Sequence, residues 1–248
     1  AHAPTATAML HAGVLKKFGL YGLLRIAIPL LPTGAAAWLD VLALLCLGNI
    51  LYCGLVAIKQ RDLNLLIGNS SVAHMGFVFL GIASLSLIGV TGAVVLMVAH
   101  GLLAALSFGI SGWIRQHTGT TEIGKLGGLL KQLPIVGSFM VVAMLAGCGV
   151  PGFGNFIGEF MVLFGAWKAF PVVTGIAIWG ALVIGAVYML RAIRNVLHGP
   201  MNEEFAKLRD ADVFRKLPFA ILTASLLLLG IFPRLLTDHV KPSVATIV

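Results

Sequence analysis

The chain has 248 residues, 59% of them hydrophobic and 10% charged, with a mean hydropathy of +1.01. A soluble domain carries about 25% charged residues, so the composition excludes an ordinary water-soluble fold and predicts an all-α polytopic membrane protein. The net charge of +8 sits mostly in connections between apolar stretches, which marks one membrane face rather than nucleic-acid binding.

The chain opens on Ala1, and no charged n-region precedes an apolar h-region, so no signal peptide is expected. The opening AHAPTATAM reads as the interior of a longer protein, and a fragment is expected. At about 20 apolar residues per crossing, seven spans are predicted, at 7–31, 37–58, 66–88, 91–114, 134–168 (broken), 171–197 and 217–234. The whole chain, 1–248, is expected to form a single transmembrane domain.

The short loops at 32–36 and 89–90 carry no basic residue. The other connections hold Lys59 and Arg61; then Arg115, Lys125 and Lys131; then Arg191, Arg194, Lys207, Arg209, Arg215 and Lys216. With simple alternation these basic connections share one face, which the positive-inside rule makes cytoplasmic. The N-terminal end then lies on that side, and the tail from Arg234 to Val248 lies outside. For the loops to alternate in this way, the 35-residue stretch 134–168 must cross once, as two helices joined at Gly152 and Gly154. Residues 118–133 are glycine-rich and weakly amphipathic, fit for a surface helix or an ordinary loop. Residues 198–216 form the one strongly charged connection and read as solvated.

Charged residues inside spans carry the candidate chemistry, because a charge at bilayer depth costs roughly 2.5–3.5 kcal/mol on insertion scales. Lys17 lies midway along the first span, too far from either interface to snorkel easily. It reads either as a proton carrier or as a structural lysine held by a carboxylate or backbone carbonyls. Lys16 points about 100° away on a helix and is an accessory relay, a wetted site or a subunit contact. Glu159 follows the Pro151–Gly154 interruption by five residues. It is a proton-exchanging acid or an acceptor for freed backbone amides. Pro151 removes an amide and leaves a carbonyl free for a hydrogen-bonded path.

His74 and His100 sit in the middle parts of two other spans, where histidine either shuttles protons or packs as a hydrogen-bonded core residue. Ser70, Ser71, Ser107 and Ser111 add hydroxyls or let helices approach closely. His11 lies on a different face of the Lys17 helix. Cys46, Cys53 and Cys148 are all in apolar segments and form no C-x-x-C pair, so neither a disulfide framework nor a zinc site is indicated. Gly152 to Gly154 follows no strand and is no dinucleotide fingerprint. The Asn69-Ser70-Ser71 sequon falls at the cytoplasmic end of a span.

Several stretches together resemble the antiporter-like, proton-pumping M-type subunits of respiratory complex I (NADH:quinone oxidoreductase). They are HAPTA (2–6), GVLKKFGLYGLLR (13–25), IKQRDLNLLIGNSSVAHMGF (58–77), MVAHGLL (97–103) and PGFGNFIGEFMVLFG (151–165). The resemblance implies a bundle of fourteen spans with two inverted five-helix repeats, of which this chain matches the eighth to fourteenth. It places the family's central lysine on Lys17, its helix histidines on His74 and His100, and its broken-helix carboxylate on Glu159. Glutamate at 159, and no long lateral helix after the last span, favour the M type over the sister L and N types.

The implied activity is proton translocation coupled to electron transfer in other subunits. Its cofactors (NADH, FMN, iron–sulfur clusters and quinone) are expected in partner subunits and none in this chain. The implied partners are the L-type and N-type subunits within a lipid bilayer, in a bacterial inner membrane. The chain departs from the family in lacking the first repeat, in Lys16 and His11 for aliphatic residues, in Asn64 for a lysine, and in Gly68-Asn69 for Ala-Tyr. A multisubunit sodium/proton antiporter, a membrane-bound hydrogenase subunit and a non-transporting helical scaffold are the alternatives.

Overall fold

A computed structural model describes residues 3–200 and 202–248; His2, the first residue of the HAPTA stretch, lies outside them. Among the described residues every regular element is helical, apart from one isolated bridge between Asp62 and Glu122. The first span, α1, covers residues 5–30 and loosens twice into wider π turns, at His11–Leu15 and Leu23–Ala27. Leu31 alone breaks the chain, with φ −130° and ψ 58°. Pro32 then opens α2 (Pro32–Lys59), at the one helical position where a missing amide costs nothing. The expected loop at 32–36 is therefore already helix.

The next two spans are α3 (Leu63–Ala83) and α4 (Leu87–Thr118). Each starts on a side-chain cap: Leu65 N–H donates to the Asp62 carboxylate, and Gly89 N–H donates to the Ser86 hydroxyl. The turn between them lies at 84–86, not at the expected 89–90. The hydroxyls of Ser84 and Ser86 serve the backbone there, the former donating to Gly81 O at 2.7 Å. Gly89, freed from any turn, is buried inside α4.

The broken crossing consists of α5 (Pro134–Gly147) and α6 (Gly154–Trp167). Each has 14 residues, about 21 Å of helix, so neither alone spans a hydrocarbon core of about 30 Å. Gly149 (φ 68°) and Gly152 (φ 104°) take the left-handed positions in the joint. The expected hinge is thus corrected at one place: Gly154 is the first residue of α6, and Gly149 does the turning. The remaining helices are α7 (Pro171–Leu197), α8 (Val213–Ile231) and α9 (Arg234–Ala245). Among the described residues five helices (α2, α3, α4, α7 and α8) are individually long and apolar enough to cross a membrane. With α1 and the α5–α6 pair counted, the helical segments match the seven expected spans in number and order. The tail is not a plain extension: α9 packs on α4, with Thr237 and Val244 buried.

Helix α4 is the hub, packed against α1, α3, α6, α8 and α9. In lipid, helices associate largely through close packing at small residues, and α6 meets α4 in that way. A Cβ at Gly158 would stand 2.7 Å from Leu96, and one at Gly165 would fall onto the backbone of Gly89. The contacts Gly165–Gly89, Gly158–Leu96 and Gly154–Ala99 fix an antiparallel register.

The basic connections do pack together on one face. Ile123 N–H donates to Arg61 O at 2.8 Å, Gly128 N–H donates to His198 O at 3.1 Å, and the Arg191 guanidinium donates to Ile58 O and Gln60 O at the end of α2. Residues 118–133 form the ordinary loop of the two alternatives, but a packed one. They include two 3-10 turns, Ile123–Lys125 and Leu129–Lys131, and their Ile123, Leu126, Leu129 and Leu133 are buried. Lys125 remains exposed, and the Glu122 carboxylate 2.6 Å away raises its pKa above the usual lysine value. Residues 198–216 are not wholly solvated either, since Phe205 and Ala211 are buried. Asp210 accepts from Ile135 N–H at 2.6 Å and Val136 N–H at 3.4 Å. Helix α5 has no capping side chain of its own, and those orphan amides need an acceptor.

Candidate functional site

The π turn at the start of α1 sets Lys17 in place. Its ammonium folds back to donate to the carbonyl of Ala12, within that turn, and lies 3.1 Å from Nδ1 of His100 on α4. A charged Lys17 donates to that nitrogen, which leaves the proton of a neutral His100 ring on Nε2. Helix α3 supplies His74. Its Nδ1 donates to Ser70 O at 2.7 Å, one turn earlier, and its Nε2 stands 3.2 Å from Oε1 of Glu159 on α6. With Nδ1–H committed to a carbonyl, one proton is left for the Nε2–Oε1 contact. Either His74 is imidazolium against a carboxylate, or neutral His74 accepts from a protonated Glu159. A proton can cross that contact without any atom moving far.

Two couples therefore exist, Lys17–His100 and His74–Glu159. The two imidazole rings have centroids 5.3 Å apart and planes tilted by 43°, and among the described hydrogen bonds none joins them directly. His74 (4%), His100 (2%) and Glu159 (7%) are buried, while Lys17 is half-buried. Four candidates named from the sequence are thus brought into one series across α1, α4, α3 and α6.

Surroundings differ along it. A cavity of about 10 Å³ lies beside His74 and Glu159, closed by Tyr188, Gly147 and Gly185; that is the scale of a single water. Lys17 borders an open groove of about 530 Å³, together with Gly13, Tyr21 and Met97. Glu159 also edges an apolar groove of about 490 Å³ formed with Phe156, Phe160 and Leu163.

The remaining candidates fall elsewhere. Lys16 donates to Ser71 Oγ at 3.3 Å, in a polar seam between α2 and α3 where Cys53 and Asn49 are also hydrogen-bonded. Ser111 donates to Asn64 Oδ1 at 2.6 Å. Ser107 is buried, and His11 is exposed and away from the series. Pro151 lies in the joint before α6.

Three contributors escape a reading of the sequence. Tyr188 is buried against the His74–Glu159 cavity, and nothing in its apolar surroundings on α7 singles it out. Gly149 is required because a Cβ there would lie 2.6 Å from Oε2 of Glu159. Asn155 is fully buried, with neither amide atom hydrogen-bonded; its position four residues before Glu159 is the signal that finds it.

Comparisons with known proteins place the sequence and the fold. Residues 1–187 match the model of the NADH:quinone oxidoreductase/Mrp antiporter transmembrane family. NADH-quinone oxidoreductase subunit M of Pseudomonas aeruginosa is 39% identical over 240 residues, covering 96% of this chain and 46% of that protein. A chain of respiratory complex I from Thermus thermophilus superposes with a TM-score of 0.91 at 30% identity, over 98% of this chain and 51% of that one. A chain of the Mrp complex from a Dietzia species shares the fold, with a TM-score of 0.90 at 18% identity over 98% and 53%. The chain spans about half the length of the curated relatives it matches. It belongs to the NADH:quinone oxidoreductase/Mrp antiporter transmembrane family.

Proposed function

We propose that the chain is the proton-conducting C-terminal half of an M-type subunit of NADH:quinone oxidoreductase, matching the eighth to fourteenth spans of that subunit. The observation that carries this reading is the series Lys17–His100–His74–Glu159, drawn from four separate helices with contacts of 3.1 and 3.2 Å at its two ends. Lys17 is the central relay, the histidines pass the proton on, and Glu159 exchanges it at the far end. Protonating any member repels positive charge at its neighbours, so each transfer sets the next one's affinity. Lys16, on its separate seam, serves as an accessory store of charge.

Electron transfer belongs to other subunits, which hold NADH, FMN, the iron–sulfur clusters and the quinone. The L-type and N-type subunits are the membrane partners. The gathered basic connections support a cytoplasmic N-terminal end and an outward C-terminal end in a bacterial inner membrane. The test is Glu159→Gln in the assembled membrane complex, with protons moved per electron pair measured in sealed vesicles. Glutamine keeps the shape and cannot share a proton. The stoichiometry falls on this account, whereas an unchanged value with quinone reduction intact removes Glu159 from the path.

A further inference from the structure

Helix α6 carries an aromatic ridge that the contact series does not use. Phe156, Phe160 and Phe164 recur every fourth residue, which keeps them on one face of the helix. Their rings stack in sequence, with centroids 5.7 and 5.9 Å apart and planes 25° and 26° from parallel. Trp167 continues the ridge to the end of the helix, and Phe160, Phe164 and Trp167 are all exposed. Ile178, Ala181 and Leu182 of α7 form the opposite wall, and the open groove of about 490 Å³ lies between.

One charged side chain lines this groove, Glu159, next to Gly149 of the joint. Its Oε1 is taken by His74 at 3.2 Å, and the side chain is only 9% exposed. Oε2 lies toward Gly149, where a Cβ would stand 2.6 Å from it. Among the described hydrogen bonds and ion pairs none ends on Oε2. The groove therefore has a polar end, with an acceptor left over, and an aromatic flank. From Glu159 to Trp167 is eight residues, about 12 Å of helix.

Those features select a ligand. A lipid tail would cover the rings but leave Oε2 unmatched, and a carboxylate at bilayer depth favours a cation beside it. Aromatic faces attract ammonium groups and stack offset on other rings. An anionic head would meet Glu159 unfavourably, and a second cation at the far end would meet Lys168, exposed just beyond Trp167. We propose that the α6–α7 groove is a binding site for an amphipathic organic cation, a primary amine on an aryl body about 12 Å long. Its ammonium sits on Glu159 Oε2, and its ring lies along Phe160 and Phe164. If Glu159 exchanges protons, a bound amine blocks that exchange; this consequence rests on the proposed transport role, whereas the binding itself does not.

The test is photolabelling of the assembled complex in its native membranes with an azidophenylpropylamine and with the matching azidophenylpropanol. Peptide mass spectrometry locates the label, and its concentration dependence gives the half-saturation point of each probe. The amine is expected to label residues 149–182 saturably, at concentrations at least about tenfold below the alcohol. Glu159→Gln keeps the shape and removes the charge. It should raise the half-saturation of the amine by about tenfold or more and leave that of the alcohol within about twofold. Equal labelling by amine and alcohol, or amine labelling unchanged in Glu159→Gln, would make the groove an ordinary lipid-facing wall and overturn the proposal. Absence of label from residues 149–182 with either probe would mean that a neighbouring subunit covers the groove, which overturns it as well. Should the glutamine chain fail to assemble, Leu182→Trp fills the groove from the α7 wall and must weaken amine labelling by the same measure; undiminished labelling there refutes the site. Binding is read here without any transport measurement, so its failure leaves the pumping result for Glu159→Gln to stand or fall separately.

Discussion

Lys17 and Glu159 stand at opposite ends of the same contact series, yet α1 and α6 hold them in different ways. Helix α1 leaves Leu10, Val14, Phe18 and Tyr21 exposed, and Lys17 sits half-buried at an open groove. Its ammonium donates within its own helix, to a carbonyl of the π turn five residues earlier, and also reaches His100 on α4. Helix α6 is sunk against α4 through glycines, and among the described contacts Glu159 is held by His74 from another helix. A charge at bilayer depth can thus be kept by local backbone with one tertiary partner, or by tertiary packing without a local one. The first arrangement tolerates a loose surround, and the second depends on the fit of three helices.

The largest effect is expected from the chemistry the two ends share. Lys17→Arg keeps the positive charge but cannot release a proton at physiological pH. Pumping by this subunit should fall as far with arginine as with Lys17→Met, by about tenfold or more, equivalent to about 1.4 kcal/mol on the barrier. Retained pumping with arginine would mean that Lys17 acts only as a fixed charge.

The next effect separates the two surroundings. Gly165→Ala forces a methyl onto the Gly89 backbone and should cost about 1–3 kcal/mol of stability. Gly19→Ala, on the open side of α1 with nothing within 4 Å, should be neutral or stabilising by up to about 1 kcal/mol. Thermal unfolding in detergent reports both, and similar changes at the two sites would erase the contrast.

Asp210→Ala removes the side-chain acceptor at the start of α5 and should cost about 1 kcal/mol in the same assay. No change there would mean that the α5 amides find another acceptor. Lys16→Leu should be the mildest, changing pumping by about twofold or less, or about 0.4 kcal/mol on the barrier. A loss matching that at Lys17 would place Lys16 in the main path.

The spans, and the single crossing made by a broken helix, were legible because apolar length and loop charge are local properties of the chain. So were Lys17, His74, His100 and Glu159, since an ionisable residue among apolar neighbours stands out at once. The turn at 84–86 was not, because Gly89-Val90 looks like a turn until α6 is packed against it. Asp210 read as solvated because its partners, Ile135 and Val136, lie about 75 positions away. Tyr188 is placed through tertiary neighbours, and no local pattern announces it.

The claim that Lys17 and Glu159 lie on one path is tested most directly by combining Lys17→Met with Glu159→Gln in the assembled complex. The measurement is protons per electron pair in sealed vesicles. On the proposed transport role, residues in series predict a double variant no worse than the more impaired single variant. A double variant that pumps clearly less than either single would mean two separate routes and would contradict the account.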